Sequence, residues 1–388
     1  ERQDQKMSRQ VYMDHAATTP VAPDVFHAMA PYFTESFGNP SSLYTLGQQN
    51  KKAIEEAREK VARVLNASPA EIFFTSGGTE SDNWALKGAA FTYRNKGNHI
   101  ITTKIEHHAI LHSAEYLARL GYDITYLDVD EEGRVSVEDV AKAITDGTIL
   151  VSVMFANNEI GTIQPIEKIG KLCRERGVLF HTDAVQAVAH VPIDVKAMNI
   201  DMLSLSAHKF YGPKGTGVMF LRKGVKLDNF IHGGGQEKGR RATTENVAGI
   251  VAAGYAVEES VSEMAERENV LRAMVEETVK GIKEEIPSVR INGGCENRLP
   301  GTVNLGFDNI SGESLMHLLD LKGVCVSTSS ACNSGKDEPS HVLIALGLSE
   351  QQAKSAIRIS YGKYNCIDEV KNVVSAVCDA YIKIIAIR

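Results

Sequence analysis

The sequence is poor in cysteine, with six cysteines among 388 residues. They are widely spaced and no two form a C-x-x-C pair, so a disulfide framework is excluded and a structural zinc site is not indicated. Most of them are typical of buried free thiols in a reducing compartment. Cys332 differs, because it lies in a stretch rich in serine, asparagine and glycine. The six are Cys173, Cys295, Cys325, Cys332, Cys366 and Cys378.

Long apolar runs and a strong charge of one sign are also absent. No stretch approaches the roughly 20 apolar residues that span a bilayer, and no signal peptide is visible. The 42 basic and 49 acidic residues give a net charge of −7 without a basic stripe, which argues against a nucleic-acid partner. These features predict a soluble cytoplasmic protein. Residues 1–7 are polar, lie outside any pattern and are interpreted as a tail.

What the sequence does contain, from about residue 50 to 260, is an alternation of short apolar runs with helical patterns. Strands alternating with helices predict an α/β fold whose mostly parallel, seven-stranded sheet carries helices on both faces. In such sheets ligands bind at the carboxyl ends of the strands. The predicted strands are Ile72–Thr75, His99–Thr103, 124–127, 148–155, 178–182, 202–205 and Gly217–Leu221.

The pattern changes further along the chain. Residues 247–286 predict one long helical connector, and the segments after it predict a smaller α+β domain. A chain of this length favours two domains. We predict a large domain of residues 16–262 and a small domain of residues 8–15 and 263–388. The strands predicted for the small domain are 289–292, 302–307, 323–327 and Ala356–Ser360.

Polar residues follow several of the predicted strands. Gly77, Gly78 and Thr79 precede a helical pattern, where backbone amides and the helix N-terminus favour an anion. A glycine turn before a helix is more often structural, so this signal is weak alone. Asp183 ends another strand and could pair with a protonated ring nitrogen, although a helix N-cap is the usual reason for such an aspartate.

Lys209 follows the strand predicted at 202–205 and lies among small and aromatic residues. A lysine in such a position is desolvated, which lowers its pKa and suits it to form a Schiff base. The nearby Gly212–Gly217 segment lacks the G-x-x-x-x-G-K-S/T spacing of a nucleotide-binding loop. An anion site, an acid for a ring nitrogen and a strand-end lysine together indicate pyridoxal phosphate (PLP).

At this point the sequence resembles a known family, over nearly its whole length from about Val11. It is similar to the class V, fold-type I PLP enzymes, and specifically to cysteine desulfurases of the NifS/IscS family. The resemblance rests on many blocks in the same order, which are residues 12–20 (YMDHAATTP), 37–42 (FGNPSS), 75–83 (TSGGTESDN), 106–107 (EH), 157–161 (NNEIG), 206–212 (SAHKFYG), 232–237 (HGGGQE), 329–332 (SSAC) and Arg358.

The resemblance implies a role for each of several residues. Lys209 would bind PLP covalently and move protons at the substrate Cα, while Asp183 would keep the pyridine nitrogen protonated. His107 would stack on the ring and relay protons. The other cofactor contacts would be Gln186 at the phenolic oxygen and, at the phosphate, Gly78, Thr79, Ser206 and His208.

The resemblance also implies a substrate and an oligomer. Asn158 and Arg358 would bind the carboxylate of L-cysteine, Arg358 through its two-pronged guanidinium. Thr244 would reach the phosphate of a neighbouring subunit, which implies a homodimer with shared active sites. The sequence departs from the family at Thr243, where glycine is usual.

Cys332 lies in a segment whose composition predicts an exposed, mobile loop. A thiol there is accessible and becomes a nucleophile once deprotonated. The resemblance implies that it takes sulfur from L-cysteine as a persulfide, leaves alanine, and passes the sulfur to an acceptor or iron–sulfur scaffold protein. The acceptor stays open: clusters, transfer-RNA modification and cofactor synthesis all need sulfur. Members of the family that serve general iron–sulfur assembly usually carry a longer tail that docks the scaffold protein. The short segment after Tyr381 therefore makes the resemblance to NifS the stronger one.

Four other functions share some of these sequence features. A class V aminotransferase has no use for Cys332, whereas selenocysteine lyase activity is not excluded. A scaffold that has lost its cofactor would not need Lys209 together with Asp183. A histidine metal site at residues 107–112 lacks the H-E-x-x-H arrangement and an acidic or cysteine ligand at a matching offset, so no metal is predicted.

Overall fold

The computed structural model describes residues 10–328 and 338–387, and its strands form three sheets. The strands are β1 Val11–Tyr12, β2 Ile72–Thr75, β3 His99–Thr103, β4 Asp123–Leu127, β5 Thr148–Ser152, β6 Leu179–Asp183, β7 Met202–Ser206, β8 Gly217–Leu221, β9 Arg290–Asn292, β10 Thr302–Gly306, β11 Val324–Cys325, β12 Ser327–Thr328 and β13 Ala356–Ser360.

Helices separate most of these strands. They are α1 Pro23–Met29, α2 Pro31–Thr34, α3 Thr45–Val64, α4 Gly78–Tyr93, α5 His108–Arg119, α6 Val137–Ala143, α7 Ile166–Arg176, α8 Gln236–Gly239, α9 Val247–Ser262, α10 Met264–Glu285, α11 Gly312–Leu321, α12 His341–Ala345, α13 Glu350–Lys354 and α14 Ile367–Ala386. The helix α3 shows why such segments fold: Ile54, Ala57 and Val61 share one stripe and are buried, while the opposite face carries charged residues.

The largest sheet has seven strands in the order β2-β8-β7-β6-β5-β3-β4. Neighbours from β7 to β4 are parallel, whereas β8 runs antiparallel to both β7 and β2. The predicted α/β fold with a mostly parallel seven-stranded sheet is therefore confirmed. Because the parallel strands share one direction, the residues that follow β3, β5, β6 and β7 meet at one edge of the sheet.

A second sheet, of four antiparallel strands, has the order β12-β13-β10-β9, and β1 pairs in parallel with β11. Its buried apolar residues form a cluster with those of α10 and α14, apart from the cluster that joins α3 and α9 to the large sheet. This separation supports the proposed division at residue 262, which stays a prediction.

Three predicted elements differ from the structure by more than one residue at an end. The strand predicted at 148–155 ends at Ser152, and residues 153–158 turn toward the edge of the sheet. The strand predicted at 323–327 is two short strands, β11 and β12, in different sheets. The single long connector is two helices that meet at Glu263, because α9 packs into one apolar cluster and α10 into the other.

Among residues 10–328 and 338–387, no helix combines the length and the apolar character that crossing a bilayer requires.

Candidate active site

A cavity of about 350 Å³ lies at the edge of the large sheet where the parallel strands end. Most of the candidate residues line it, although they come from segments far apart in the chain. Those that line it are Gly78, Thr79, His107, Asn158, Asp183, Gln186, Ser206, His208, Lys209 and Arg358. Nine of these follow the strands of the large sheet, and Arg358 comes from β13 of the second sheet.

Lys209 follows β7 in a single 3₁₀ turn, Ala207–Lys209, which brings its side chain to the cavity. Its Nζ donates to the carbonyl oxygens of Ala16 and Ala17, at 2.6 and 2.7 Å. Gln186 Nε2 donates to the same Ala16 carbonyl at 2.8 Å. The segment after β1 therefore holds the lysine side chain at the cavity.

Asp183 ends β6 and is buried beside β7. Its Oδ1 accepts the Val185 N–H at 2.9 Å, and burial raises the pKa of its carboxyl. This local turn is the structural reason for an aspartate here, but no helix follows. The buried carboxyl lines the cavity, so it is also placed to accept a hydrogen bond from a cationic N–H.

Two groups lie behind Asp183. Asp82 lines the same cavity and its Oδ1 has no hydrogen-bond partner in the described part of the chain. Burial, followed by the Asp183 charge, raises the pKa of Asp82 well above its usual range. The nearest basic group is His181, whose Nε2 lies 3.7 Å from Asp82 Oδ1. A cation in the cavity would offset this excess of buried carboxyl groups.

The part of the cavity beside the start of α4 is suited to an anion. The helix α4 begins at Gly78, so its first backbone N–H groups lack helical partners and carry partial positive charge. A Cβ on Gly78 would lie 2.6 Å from Val185 Cγ2, which is why the close approach requires glycine. Thr79, Ser206 and His208 add side-chain donors here, and His208 Nδ1 lies 3.0 Å from Thr18 Oγ1.

His107 precedes α5 and caps it, since its Nδ1 accepts the Ala109 N–H at 3.1 Å. Burial, and then the charge of Lys209, lower the pKa of His107 to about 4. At neutral pH the ring is therefore uncharged, and its remaining proton is on Nε2. A neutral imidazole can stack on an aromatic ring and can accept or donate a proton.

Arg358 is buried and lies near the segment that follows β5. Its Nη1 donates to the Asn158 carbonyl at 2.9 Å and its Nη2 donates to Asp14 Oδ1 at 2.7 Å. Its Nε has no partner within the described residues. The guanidinium therefore keeps unused donors at the cavity, which suits it to bind a carboxylate.

These features fit PLP. The start of α4 with Thr79 and Ser206 would hold the phosphate, and the carboxyl of Asp183 would pair with the ring nitrogen. Lys209 would provide the amine for the covalent link. Asp82 Oδ1, which has no hydrogen-bond partner within the described residues, is a further polar atom of the cavity lining.

Of the candidate residues that the structure describes, Thr244 is the one outside the cavity. Thr244 is exposed and is absent from the lining. The neighbouring Thr243 has a φ of 105°, a conformation that favours glycine. Cys332 lies outside the described residues.

A larger cavity, of about 600 Å³, lies at the opposite edge of the sheet. Three of its charged groups pair with one another, since Asp201 forms ion pairs with Arg174 and Arg222. It contains none of the candidate residues. Across residues 10–328 and 338–387, no three His, Cys, Asp or Glu side chains are grouped so that they could hold a metal ion.

Sequence reasoning did not single out Asp82, Ala16 or Ala17. Asp82 lies four residues after Gly78 on α4, so helical spacing could have placed it on the same face. Ala16 and Ala17 act through backbone carbonyls, which the residue type does not reveal.

Comparisons with known proteins agree with this site. Residues 11–373 match the family model for class-V aminotransferases. The chain is 56% identical over 370 residues, 95% of its length and 93% of the relative's, to a protein of Clostridium botulinum called cysteine desulfurase IscS.

Two solved structures are similar throughout. A NifS-like protein superposes with a TM-score of 0.90 at 41% identity, covering 95% of this chain and 98% of that chain. A protein called SspA, solved in complex with cysteine, has a TM-score of 0.82 at 40% identity and covers 92% and 99%. The chain belongs to the NifS/IscS family of cysteine desulfurases, PLP-dependent enzymes of the class-V aminotransferase family.

Proposed function

We propose that this protein converts L-cysteine to L-alanine and collects the sulfur on Cys332 as a persulfide, with PLP bound to Lys209. The observation that carries this assignment is the meeting of Lys209, Asp183 and Arg358 in one cavity. They bring an amine, an acid and a carboxylate-binding cation together in a cavity of about 350 Å³. Those are the groups that an amino acid and its PLP cofactor require. Membership of a cysteine desulfurase family supports the choice of substrate.

When bound, PLP supplies a sink for the electrons of a bond broken at the substrate Cα. Asp183 keeps this sink effective by holding a proton on the ring nitrogen. Lys209 would take up the proton from the substrate Cα and return it. His107 is neutral and lies in the same cavity, so its Nε2 proton serves as a second proton donor there.

Cys332 acts on the substrate sulfur rather than on carbon. Its thiolate forms an S–S bond as the substrate C–S bond breaks, and the bonding electrons stay with the carbon fragment. That carbon takes up a proton, so the products are alanine and a persulfide on Cys332. A thiol or an acceptor protein then removes the outer sulfur atom.

The direct test is turnover with L-cysteine and excess dithiol. We expect alanine and sulfide in equal amounts over many turnovers, measured by amino-acid analysis and a sulfide assay, with L-alanine as the blank. Sulfide without alanine would contradict the reaction. A protein that shows visible PLP absorbance but forms neither product would indicate a different amino-acid substrate, and a colourless protein would indicate a non-catalytic scaffold.

We also propose that the enzyme is a homodimer with shared active sites. Apolar side chains between α1 and α3 are strongly exposed, including Phe33 at 62%, Phe37 at 68% and Leu43 at 93%. Exposed groups of this size mark interaction surfaces when they adjoin one another. The segment around Thr244 supports the same homodimer. Its surface is exposed, and ion pairs to α3 and α4 fix its position.

Two bidentate ion pairs hold that segment against α3 and α4. Arg58 binds both carboxylate oxygens of Glu237 at 2.8 Å, and both groups are buried. Arg241 binds both oxygens of Glu80, also at 2.8 Å. Such pairs fix backbone geometry as well as charge, so Thr244 is presented outward in one conformation, available to a neighbouring subunit's phosphate.

Replacing both Phe37 and Leu43 with glutamate should convert the dimer to a monomer, since two charges would be buried at the interface. Sedimentation velocity checks this. Leu321→Glu is the matched control, because Leu321 is 83% exposed at the end of α11, away from the segment between α1 and α3, and this variant should remain dimeric. A wild-type monomer at micromolar concentration, or dimeric Phe37→Glu/Leu43→Glu, would contradict the proposal.

The sulfur acceptor, an iron–sulfur scaffold or another protein, and the cytoplasmic location stay predictions.

A further inference from the structure

Arg358 is fixed from two sides in the structure. One terminal nitrogen donates to the Asn158 carbonyl and the other to Asp14 Oδ1, at 2.9 and 2.7 Å. The residue is only 5% exposed, and its Nε–H lacks a partner within the described residues. A buried donor without a partner costs free energy, so the site is arranged for a group that arrives later.

Asp14 is itself placed by the backbone. It forms an isolated parallel bridge with Ser360, two residues after Arg358 on β13. Its carbonyl accepts the Ala17 N–H at 2.9 Å and the Tyr12 hydroxyl at 3.0 Å. The carboxylate therefore reaches Arg358 from a rigid segment, the same segment that holds Lys209.

We propose that Asp14 is a positioning residue for the substrate carboxylate, acting through Arg358. The inference rests on the proposed role of Arg358 in binding that carboxylate. Asp14 takes one N–H of the guanidinium and fixes the side chain in a single rotamer. The N–H groups of the guanidinium that Asp14 and Asn158 leave unused are then held in place for the substrate, so little rotamer freedom is lost on binding.

A competing effect has the opposite sign. Asp14 offsets part of the Arg358 charge, so removing it would leave a stronger positive charge for the substrate. Geometry outweighs this gain, because without Asp14 the hydrogen bond that the guanidinium keeps within the described residues is the one to the Asn158 carbonyl. A long side chain with one anchor must be ordered by each substrate molecule.

The test uses L-cysteine and its methyl ester, which lacks the carboxylate charge. Asp14→Ala should raise the KM for L-cysteine by about 10- to 100-fold, the range for losing a hydrogen bond to a charged group, with kcat within about threefold. The kcat/KM for the ester should stay within about twofold. The Kd of unreactive L-alanine, from visible titration of the PLP enzyme, should rise with the KM.

Asp14→Asn keeps a hydrogen-bond acceptor at the same place, so its KM for L-cysteine should be only about threefold above that of the wild type. This variant also tests the inference if Asp14→Ala does not fold. Asp308→Ala is the matched control, since it removes an aspartate that pairs with Arg290 beside β9, away from the cavity. It should leave both substrates unaffected.

Arg358→Ala separates this inference from the proposed function. If Arg358→Ala impairs the acid but not the ester while Asp14→Ala changes neither, the inference about Asp14 is wrong. A lower KM in Asp14→Ala, or equal losses with acid and ester, would also overturn it. If Arg358→Ala fails to discriminate acid from ester, the proposed carboxylate role of Arg358 is itself wrong.

Discussion

Replacing Lys209 with alanine should abolish desulfuration, lowering the rate by about 10³-fold or more. The lysine has two roles, the covalent link to PLP and proton transfer at the substrate Cα, and both would be lost. PLP would still be attracted to the start of α4 and to Asp183, so the variant would retain weak, non-covalent binding.

The measurement is reduction of the PLP-loaded protein with borohydride, followed by peptide mapping. In the wild type the reduced cofactor should be attached to Lys209, and the Lys209→Ala protein should carry no covalent label. Lys214→Ala is the matched control, because Lys214 is an exposed lysine in the same loop and should label normally. Labelling of another lysine in the wild type would show that the assignment is wrong.

Replacing Cys332 with alanine should separate PLP chemistry from sulfur transfer. The described residues that line the cavity are unchanged in this variant, so it should keep its visible PLP absorbance and should respond to L-cysteine. It should form no protein persulfide, and alanine production should fall by at least about 10²-fold because the nucleophile is missing.

Persulfide can be measured by mass spectrometry after alkylation, as an added sulfur atom on one peptide. Cys325→Ala provides the comparison, since Cys325 is a partly exposed thiol on β11 whose removal should leave the persulfide intact. Persulfide of normal yield in Cys332→Ala would exclude Cys332 as the acceptor and direct attention to the remaining thiols.

Several strands could be predicted to the residue. Ile72–Thr75, His99–Thr103, Gly217–Leu221 and Ala356–Ser360 are the strands of the structure, because each is a short apolar run that forms a fully buried strand. The larger errors in the predicted elements arose at element ends that no glycine or proline marks. At Glu263 two apolar clusters impose a helix break that local sequence does not signal.

The sequence alone determined the kinds of chemical group and their order, since the candidate residues follow predicted strands and parallel strands end together. Only the tertiary structure decided which partners those groups meet. Asp14 and Arg358 are 344 positions apart, and Lys209 and Ala16 are 193 apart. These contacts depend on the order of strands in the sheets and on the positions of backbone carbonyls. Hydrophobic periodicity reports which residues are buried, but it does not report strand order or carbonyl positions.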